Sequence, residues 1–88
     1  MYKVVLSKEA QEDLLLLQKH APASLKKVRA LFKELEEHPR IGTGQVEQMK
    51  HCTVETWSRR INREHRLVYR IYDDVVEVLV LSMYGHYC

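Results

Sequence analysis

The chain has 88 residues, of which 45% are hydrophobic and 30% charged, and its formal net charge is +2. A chain of this length forms one domain, here residues 1–88, and buries roughly 60–70% of the surface that its unfolded form exposes. With only three glycines and two prolines, the composition excludes a disordered or low-complexity protein.

No part of the sequence approaches the ~18 consecutive apolar residues of a membrane helix, so no membrane partner is expected. The N-terminal residues lack the apolar region and the cleavage site of a signal peptide. Cys52 and Cys88 have neither the pattern of a disulfide scaffold nor the spacing of metal ligands. These features predict a cytoplasmic protein.

The N-terminal segment predicts a strand followed by a helix. Residues 2–6 form the strand, and Ser7 is expected to cap the helix by accepting a hydrogen bond from a backbone N–H. From Lys8 to about His20, apolar residues recur at helical spacing. Leu15 and Leu16 are expected to widen the apolar face of this helix.

A second amphipathic helix follows at once. Pro22 predicts its first turn, because proline lacks only a donor that is unused there. Pro39 predicts its end near His38, since the residue before a proline avoids helical geometry. Two such helices need an apolar surface to cover.

After a glycine-containing loop the apolar residues alternate with period two, which predicts strands. The strands are expected at residues 55–62, 66–72 and 75–81, with a tight turn at Asp73-Asp74 and a further short strand near Glu47–His51. The order β-α-α-β-β-β predicts an α+β fold, in which two helices pack on one face of a twisted, mainly antiparallel sheet. An all-apolar last strand predicts a central position.

A cluster of arginines marks the second half of the chain. The guanidinium group can donate two parallel hydrogen bonds to a phosphate. A solvated sheet face would give the same pattern, so charge alone leaves both interpretations open. Between Trp57 and Arg70 the only acid is Glu64, and the arginines are Arg59, Arg60, Arg63, Arg66 and Arg70.

The sequence gives little support for a metal centre or a nucleophilic cysteine. Neither cysteine has an evident base partner, and there is no glycine loop of the nucleotide-binding type. We therefore expect no metal and no cofactor. The histidines show no ligand spacing; they are His20, His38, His51, His65 and His86.

RNA cleavage without a metal needs a base for the ribose 2′-hydroxyl, a cation for the phosphorane and an acid for the leaving 5′-oxygen. The sequence offers a carboxylate past the glycine loop (Glu47), an arginine at a strand start (Arg66) and a histidine near the chain end (His86). Spacing alone does not bring them together, and each of the three is more often a surface charge.

A specific set of motifs resembles the Txe/YoeB toxins of the RelE/ParE toxin–antitoxin superfamily. The similarity spans nearly the whole chain, including the helical pair and the glycine loop. The motifs are Lys50-His51, Trp57-Ser58-Arg59-Arg60-Ile61, Glu64-His65-Arg66-Leu67-Val68-Tyr69, Asp73-Asp74 and Gly85-His86-Tyr87.

The resemblance implies an endoribonuclease, related in shape to microbial ribonucleases, that cleaves mRNA in the A site of the ribosomal 30S subunit. It further implies inhibition by a YefM-type antitoxin, operator DNA bound through the antitoxin complex, and pairing into homodimers in some members. Position by position, Glu47 matches the general base, His86 the general acid and Arg66 the phosphate-stabilising arginine.

Further residues are expected to bind RNA. By resemblance, Lys50, Arg60 and Tyr87 hold phosphate or orient the substrate. Arg59 joins them as part of the arginine cluster, and His51 either lines the RNA groove or caps a loop.

Other side chains are assigned to packing. His65 precedes Arg66 in an alternating strand, so it should lie on the opposite face of the sheet and pack there. The side chains expected in the core rather than on bases are Trp57, Leu67, Tyr69 and Ile71.

Two other functions are compatible with the sequence. One is a gyrase poison like the ParE branch, which generally lacks the combination of Glu47, Arg66 and His86-Tyr87. The other is a binding module that has lost catalysis and acts with its antitoxin on operator DNA.

Overall fold

The computed structural model describes residues 1–50, 52 and 54–84. Over these residues the chain forms an α+β fold, as the sequence predicted. The helices and strands, in chain order, are β1 (Lys3–Leu6), α1 (Lys8–His20), α2 (Leu25–Glu37), β2 (Glu47–Gln48), β3 (Thr56–Arg60), β4 (Arg66–Tyr72) and β5 (Glu77–Ser82).

The strands form one five-stranded sheet in the order β1-β5-β4-β3-β2. β1 pairs with β5 in parallel, and the other neighbouring strands are antiparallel. A parallel neighbour requires a long connection, and the chain between β1 and β5 contains both helices and the other three strands. β5 therefore lies inside the sheet between β1 and β4, which explains its apolar sequence.

The helix ends follow the local signals of the sequence. The Ser7 side chain accepts a hydrogen bond of 3.0 Å from the Ala10 amide and caps α1. Pro22 begins a short 3-10 turn that precedes α2, and His38 is the C-terminal cap of α2. No helix in the described part of the chain is both long and apolar enough to cross a membrane.

The core lies between the helices and one face of the sheet. It includes Leu17 of α1, and Leu31 and Leu35 of α2, each with no exposed surface. The sheet contributes Leu67, Tyr69 and Ile71 of β4, with Val78 and Val80 of β5, and Trp57 packs partly buried against the same cluster. The predicted core positions are therefore confirmed.

The expectation that Leu15 and Leu16 widen the apolar face of α1 is wrong. Their side chains are 65% and 38% exposed, whereas Leu17 is fully buried. Consecutive helix residues are about 100° apart, so only the residues in register with Ala10 and Leu17 face the sheet.

The last strand begins later than the sequence predicted. Val75 and Val76 belong to the turn between β4 and β5 and are 59% and 44% exposed. Val76 has a φ of +52°, which an extended strand cannot accommodate. The tight turn therefore takes four residues, Asp73 to Val76, rather than two.

We predict that Leu31→Ala lowers the free energy of unfolding by about 2–5 kcal/mol, because it leaves a cavity under the sheet. Leu15→Ala makes the same chemical change on the exposed side of α1, and should change the free energy of unfolding by no more than about 0.5 kcal/mol. Urea denaturation of both variants checks this. Equal losses would contradict the described packing of α1 and α2.

Candidate functional site

The sheet has a second face that points away from the core. Because successive strand residues point to opposite sides, Leu67, Tyr69 and Ile71 of β4 face the helices and the residues between them face away. We call this second side the open face. From the pairing of the strands, the polar residues of β2, β3 and β4 on the open face are Glu47, Thr56, Ser58, Arg60, Arg66, Arg70 and Tyr72.

The open face brings together two of the three predicted catalytic residues. Glu47 on β2 lies directly opposite Ser58 on β3. Arg66, at the start of β4, lies opposite Arg60 and donates a hydrogen bond of 3.5 Å from Nη1 to Ser58 Oγ. The guanidinium of Arg66 therefore reaches the residue that is paired with Glu47.

In the part of the chain that the structure describes, the arginines of the open face contact neutral acceptors rather than carboxylates. Arg60 Nε donates to the Asn62 carbonyl at 3.2 Å, and Arg70 Nε donates to Thr56 Oγ1 at 3.4 Å. Like Arg66, both arginines contact neutral acceptors, and within the described residues none of the three makes an ion pair. Such a surface favours a polyanionic ligand.

Arg59 lies on the other side of β3 and is fully buried. A guanidinium has five N–H donors, and here all of them are directed at protein acceptors. The acceptors are Tyr69 Oη (3.1 Å), Glu34 Oε1 (2.7 Å) and the carbonyl oxygens of His38 (2.7 Å), Ile41 (2.8 Å) and Thr43 (3.5 Å). The prediction that Arg59 binds RNA does not hold, because no donor remains for a phosphate.

The loop between α2 and β2 is built around this buried guanidinium. Glu34 accepts hydrogen bonds from Thr43 as well as from Arg59. A side chain at Gly42 would collide with Glu34 and Arg59, and the φ of +134° at Gly42 strongly favours glycine. The Gly44 carbonyl then accepts from the Arg60 amide at 2.5 Å, which places the loop against β3 just before Glu47.

Burial alone would raise the pKa of the Glu34 carboxyl, but the hydrogen bonds from Thr43 and the charge of Arg59 lower it below its usual value. The stabilisation from Glu34 is therefore fully present above the pKa of the unfolded chain, about 4.3. It is lost as the pH falls through the lower pKa of the folded state.

A second cluster of charged and polar side chains joins the ends of several strands. Arg40 donates to Asp73 at 2.8 Å and to Glu55 at 3.2 Å, and Tyr2 donates to Asp73 at 2.6 Å. The hydrogen bonds from Arg40 and Tyr2 hold the pKa of the Asp73 carboxyl below its usual value. Trp57 Nε1 also donates to Glu55, so Arg40 joins the ends of β1, β3 and β4.

Two contacts hold the residues that follow β5 in place. The Met83 amide donates a hydrogen bond of 3.0 Å to the buried carboxylate of Asp13 on α1. Tyr84 then stacks on His65, with ring centroids 4.0 Å apart. Since His65 precedes Arg66, the chain passes the start of β4, and His65 packs against another side chain as the sequence predicted.

Comparison with known proteins identifies the family. Residues 6–87 match the model of the YoeB-like toxin of bacterial type II toxin–antitoxin systems. The chain belongs to this YoeB family. It is 38% identical over 85 residues to toxin YoeB of Escherichia coli strain K12, covering 97% of this chain and 99% of that protein.

Solved structures of YoeB proteins have the same fold. The YoeB dimer from Staphylococcus aureus superimposes with a TM-score of 0.84 at 32% identity and covers 98% of both chains. The heterotetrameric YoeB–YefM toxin–antitoxin complex from Staphylococcus aureus gives a TM-score of 0.80 at 32% identity, with 99% of both chains covered. The protein is therefore the toxin of a type II toxin–antitoxin system.

The other predicted site residues of this YoeB-family toxin divide into two groups. Lys50 is exposed two residues after β2, and Arg60 is half-buried on the open face. His51, His86 and Tyr87 lie outside the described residues.

Cys52 is disulfide-bonded, which the spacing of the cysteines in the sequence did not indicate.

The sequence interpretation assigned no individual site role to three open-face residues, Ser58, Arg70 and Tyr72, although Arg70 was counted in the arginine cluster. Ser58 links Arg66 to the strand position opposite Glu47. Arg70 and Tyr72 lie four and six residues after Arg66 on β4. Because side chains alternate between the two faces of a strand, both lie on the same side of the sheet as Arg66.

Arg59 and Arg60 are adjacent on β3, so the same substitution at each position compares the buried face of the sheet with the open face. We predict that Arg59→Gln lowers the free energy of unfolding by about 3–5 kcal/mol, because it leaves Glu34 partly buried without its counter-charge. Arg60→Gln should change it by no more than about 0.5 kcal/mol. Urea denaturation measures both values, and an equal loss in the two variants would contradict the assignment of Arg59 to the interior.

Proposed function

We propose that this toxin is a ribosome-dependent endoribonuclease that cleaves mRNA with Glu47 as base, Arg66 as phosphorane stabiliser and His86 as acid. The observation that carries the proposal is the joint position of Glu47 and Arg66 on the open face, with Arg66 bonded to the residue opposite Glu47. The family membership supports the same conclusion.

The chemistry proceeds by attack within the RNA backbone. Glu47 takes the proton from a ribose 2′-hydroxyl, and the 2′-oxygen bonds to the adjacent phosphorus. Arg66 stabilises the added negative charge on the phosphorane. The bond from phosphorus to the 5′-oxygen then breaks, and His86 gives a proton to that oxygen, leaving a 2′,3′-cyclic phosphate and a 5′-hydroxyl. The three side chains supply base, cation and acid, so the proposal assigns no step to a metal or cofactor.

Two features of the described residues agree with this scheme. Tyr84 stacks on the residue that precedes Arg66, so the segment that comes before His86 in the sequence passes Arg66. Glu47 is exposed and Lys50 follows β2 at the surface, where a substrate can reach both. Lys50, Arg60, His51 and Tyr87 are proposed to bind the RNA.

The proposed partners follow from the family and from the charge of the open face. A YefM-type antitoxin is proposed because a Staphylococcus aureus relative forms a YoeB–YefM complex. An acidic segment of such a partner would find unpaired arginines on the open face. Operator DNA is proposed to be bound through the antitoxin complex, and a homodimer is proposed from the Staphylococcus aureus YoeB dimer. Action on ribosomes implies a cytoplasmic location.

Single-turnover cleavage of mRNA on programmed ribosomes tests the proposal. Arg66→Gln should lower the rate about 10²–10³-fold, because a preorganised donor to the transition state is lost. Glu47→Gln should lower it by about 10²–10⁴-fold, the range of general-base catalysis. Arg29→Gln, which removes an equal charge from the exposed side of α2, should leave the rate unchanged.

Retention of full cleavage by both Arg66→Gln and Glu47→Gln would contradict the catalytic roles assigned to these two residues, and absence of cleavage by the wild type would contradict the nuclease assignment. Equal cleavage of the same RNA without ribosomes would contradict ribosome dependence. Growth arrest with intact mRNA would instead favour a binding function or a gyrase poison.

A further inference from the structure

The open face continues beyond Arg66 along β4. Arg66, Val68, Arg70 and Tyr72 occupy alternate positions of this strand and point to the same side. At about 3.3–3.4 Å per residue, the backbone at Arg70 lies about 13 Å from that at Arg66. Val68 between them is only 1% exposed, so a ligand would contact the half-buried arginine side chains rather than the strand itself. The two arginines are far enough apart to contact different phosphates.

Arg70, at this second position, has no ion-pair partner among residues 1–50, 52 and 54–84. Its Nε donates to Thr56 Oγ1 at 3.4 Å, and the residue is half-buried. Glu77, which lies opposite Tyr72, is the acid of β5 on this side of the sheet. No ion pair joins Glu77 to Arg70 within the described residues.

This arrangement differs from that of Arg40 and Arg59, the two arginines that hold the fold together. Arg40 and Arg59 each bond to carboxylates at 2.7–3.2 Å. Arg70 is held by a neutral hydroxyl instead, which fixes part of the side chain and leaves its charge for a ligand.

Tyr72 follows Arg70 at the next position on the same side. Its ring is half-buried, and its hydroxyl makes no hydrogen bond to any residue in the described ranges. Tyr2 and Tyr69 have hydroxyls committed to Asp73 and to the Pro39 carbonyl. Tyr72 differs from Tyr2 and Tyr69 in this respect, because no hydrogen bond to a described residue holds its hydroxyl in place. Its ring and hydroxyl are therefore available to a ligand.

We propose that Arg70 and Tyr72 form a second nucleotide subsite, in which Arg70 binds a phosphate and Tyr72 stacks on the base of a nucleotide that flanks the cleaved dinucleotide. The inference rests on the proposed nuclease function and extends its substrate contact from one phosphodiester to a flanking nucleotide. The ligand is single-stranded RNA, whose bases are free to stack on an aromatic ring.

A cation followed by an aromatic ring two residues later favours RNA over an acidic peptide. A peptide carboxylate needs only the guanidinium, whereas a nucleotide uses both the charge and the ring. The subsite also lies on the same strand and the same side as Arg66, so a substrate bound at Glu47 and Arg66 can extend to it.

The test measures binding of fluorescent 2′-deoxy oligonucleotides, which lack the attacking hydroxyl and are not cleaved. A dinucleotide spans the cleavage position, and a tetranucleotide also reaches the flanking positions. Affinities are measured for the wild type, Arg70→Gln, Arg70→Lys, Tyr72→Leu, Tyr72→Phe and the control Arg29→Gln, each first checked by its thermal unfolding midpoint.

The wild type should bind the tetranucleotide more tightly than the dinucleotide. Tyr72→Leu should lower tetranucleotide affinity about tenfold or more, since base stacking on an aromatic ring is lost. Arg70→Gln should weaken tetranucleotide binding and reduce the slope of log affinity against log salt by about 0.7, one phosphate contact. Tyr72→Phe and Arg70→Lys should keep most of the affinity, and Arg29→Gln all of it.

The proposal is overturned if the wild type binds both oligonucleotides equally, or if Arg70→Gln and Tyr72→Leu behave like Arg29→Gln. It is also overturned if these variants weaken binding of an acidic peptide such as oligoglutamate and leave tetranucleotide binding intact. If Glu47→Gln still cleaves mRNA while tetranucleotide binding depends on Arg70 and Tyr72, the nuclease mechanism fails and the nucleotide subsite stands.

Discussion

The buried guanidinium of Arg59 is the interaction on which the position of the site depends. It bonds to Glu34 of α2, to Tyr69 of β4 and to three carbonyl oxygens of the segment that follows α2. A buried charge is costly unless all its donors are satisfied and a counter-charge is present. Here both conditions hold, so Arg59 joins helix, sheet and loop at one point.

The position of Glu47 depends on Arg59 through the loop that precedes β2. The loop approaches Arg59 closely at Gly42, and Gly44 bonds to the backbone of Arg60. β2 has only two residues, Glu47 and Gln48, so its own strand pairing contributes little to its placement. The buried ion pair therefore determines where the proposed base meets the open face.

Alternation along the strands separates structural charge from charge available to a ligand. Arg59 and Arg60 are neighbours in sequence, yet one is buried against α2 and the other faces outward beside Arg66. Arg40 and Arg59 are neutralised by carboxylates, and the arginines of the open face by none that the described residues supply. The open face combines positive potential with a rigid support, which is what binding and orienting a phosphate require.

Much of this fold could be predicted from local signals. Ser7, the repeat of apolar residues in α1 and α2, and the alternation in β4 each indicated their elements, because cap chemistry and periodicity are local properties. β4 spans residues 66–72 in both prediction and structure. The start of β5 was predicted too early, because the valines of the turn have strand propensity and the turn geometry overrides it.

The burial of Arg59 could not be predicted from composition or charge. An arginine cluster suggests exposure, and only strand pairing shows that Arg59 shares the face of Leu67. The signals available in the sequence were indirect: Gly42 and Gly44 mark a close backbone approach, and Glu34 supplies the counter-charge from 25 positions away. Contacts over such separations depend on the fold rather than on a local pattern.

The central claim is that RNA phosphate binds the open face while Arg59 stays inside. Side-chain Nε–Hε signals in ¹H–¹⁵N spectra, recorded while a 2′-deoxy dinucleotide is added, test it most directly. The account predicts progressive shifts for Arg60 and Arg66, and unchanged signals for Arg59 and Arg40. Shifts at Arg59 or Arg40 without shifts at Arg66 would contradict it.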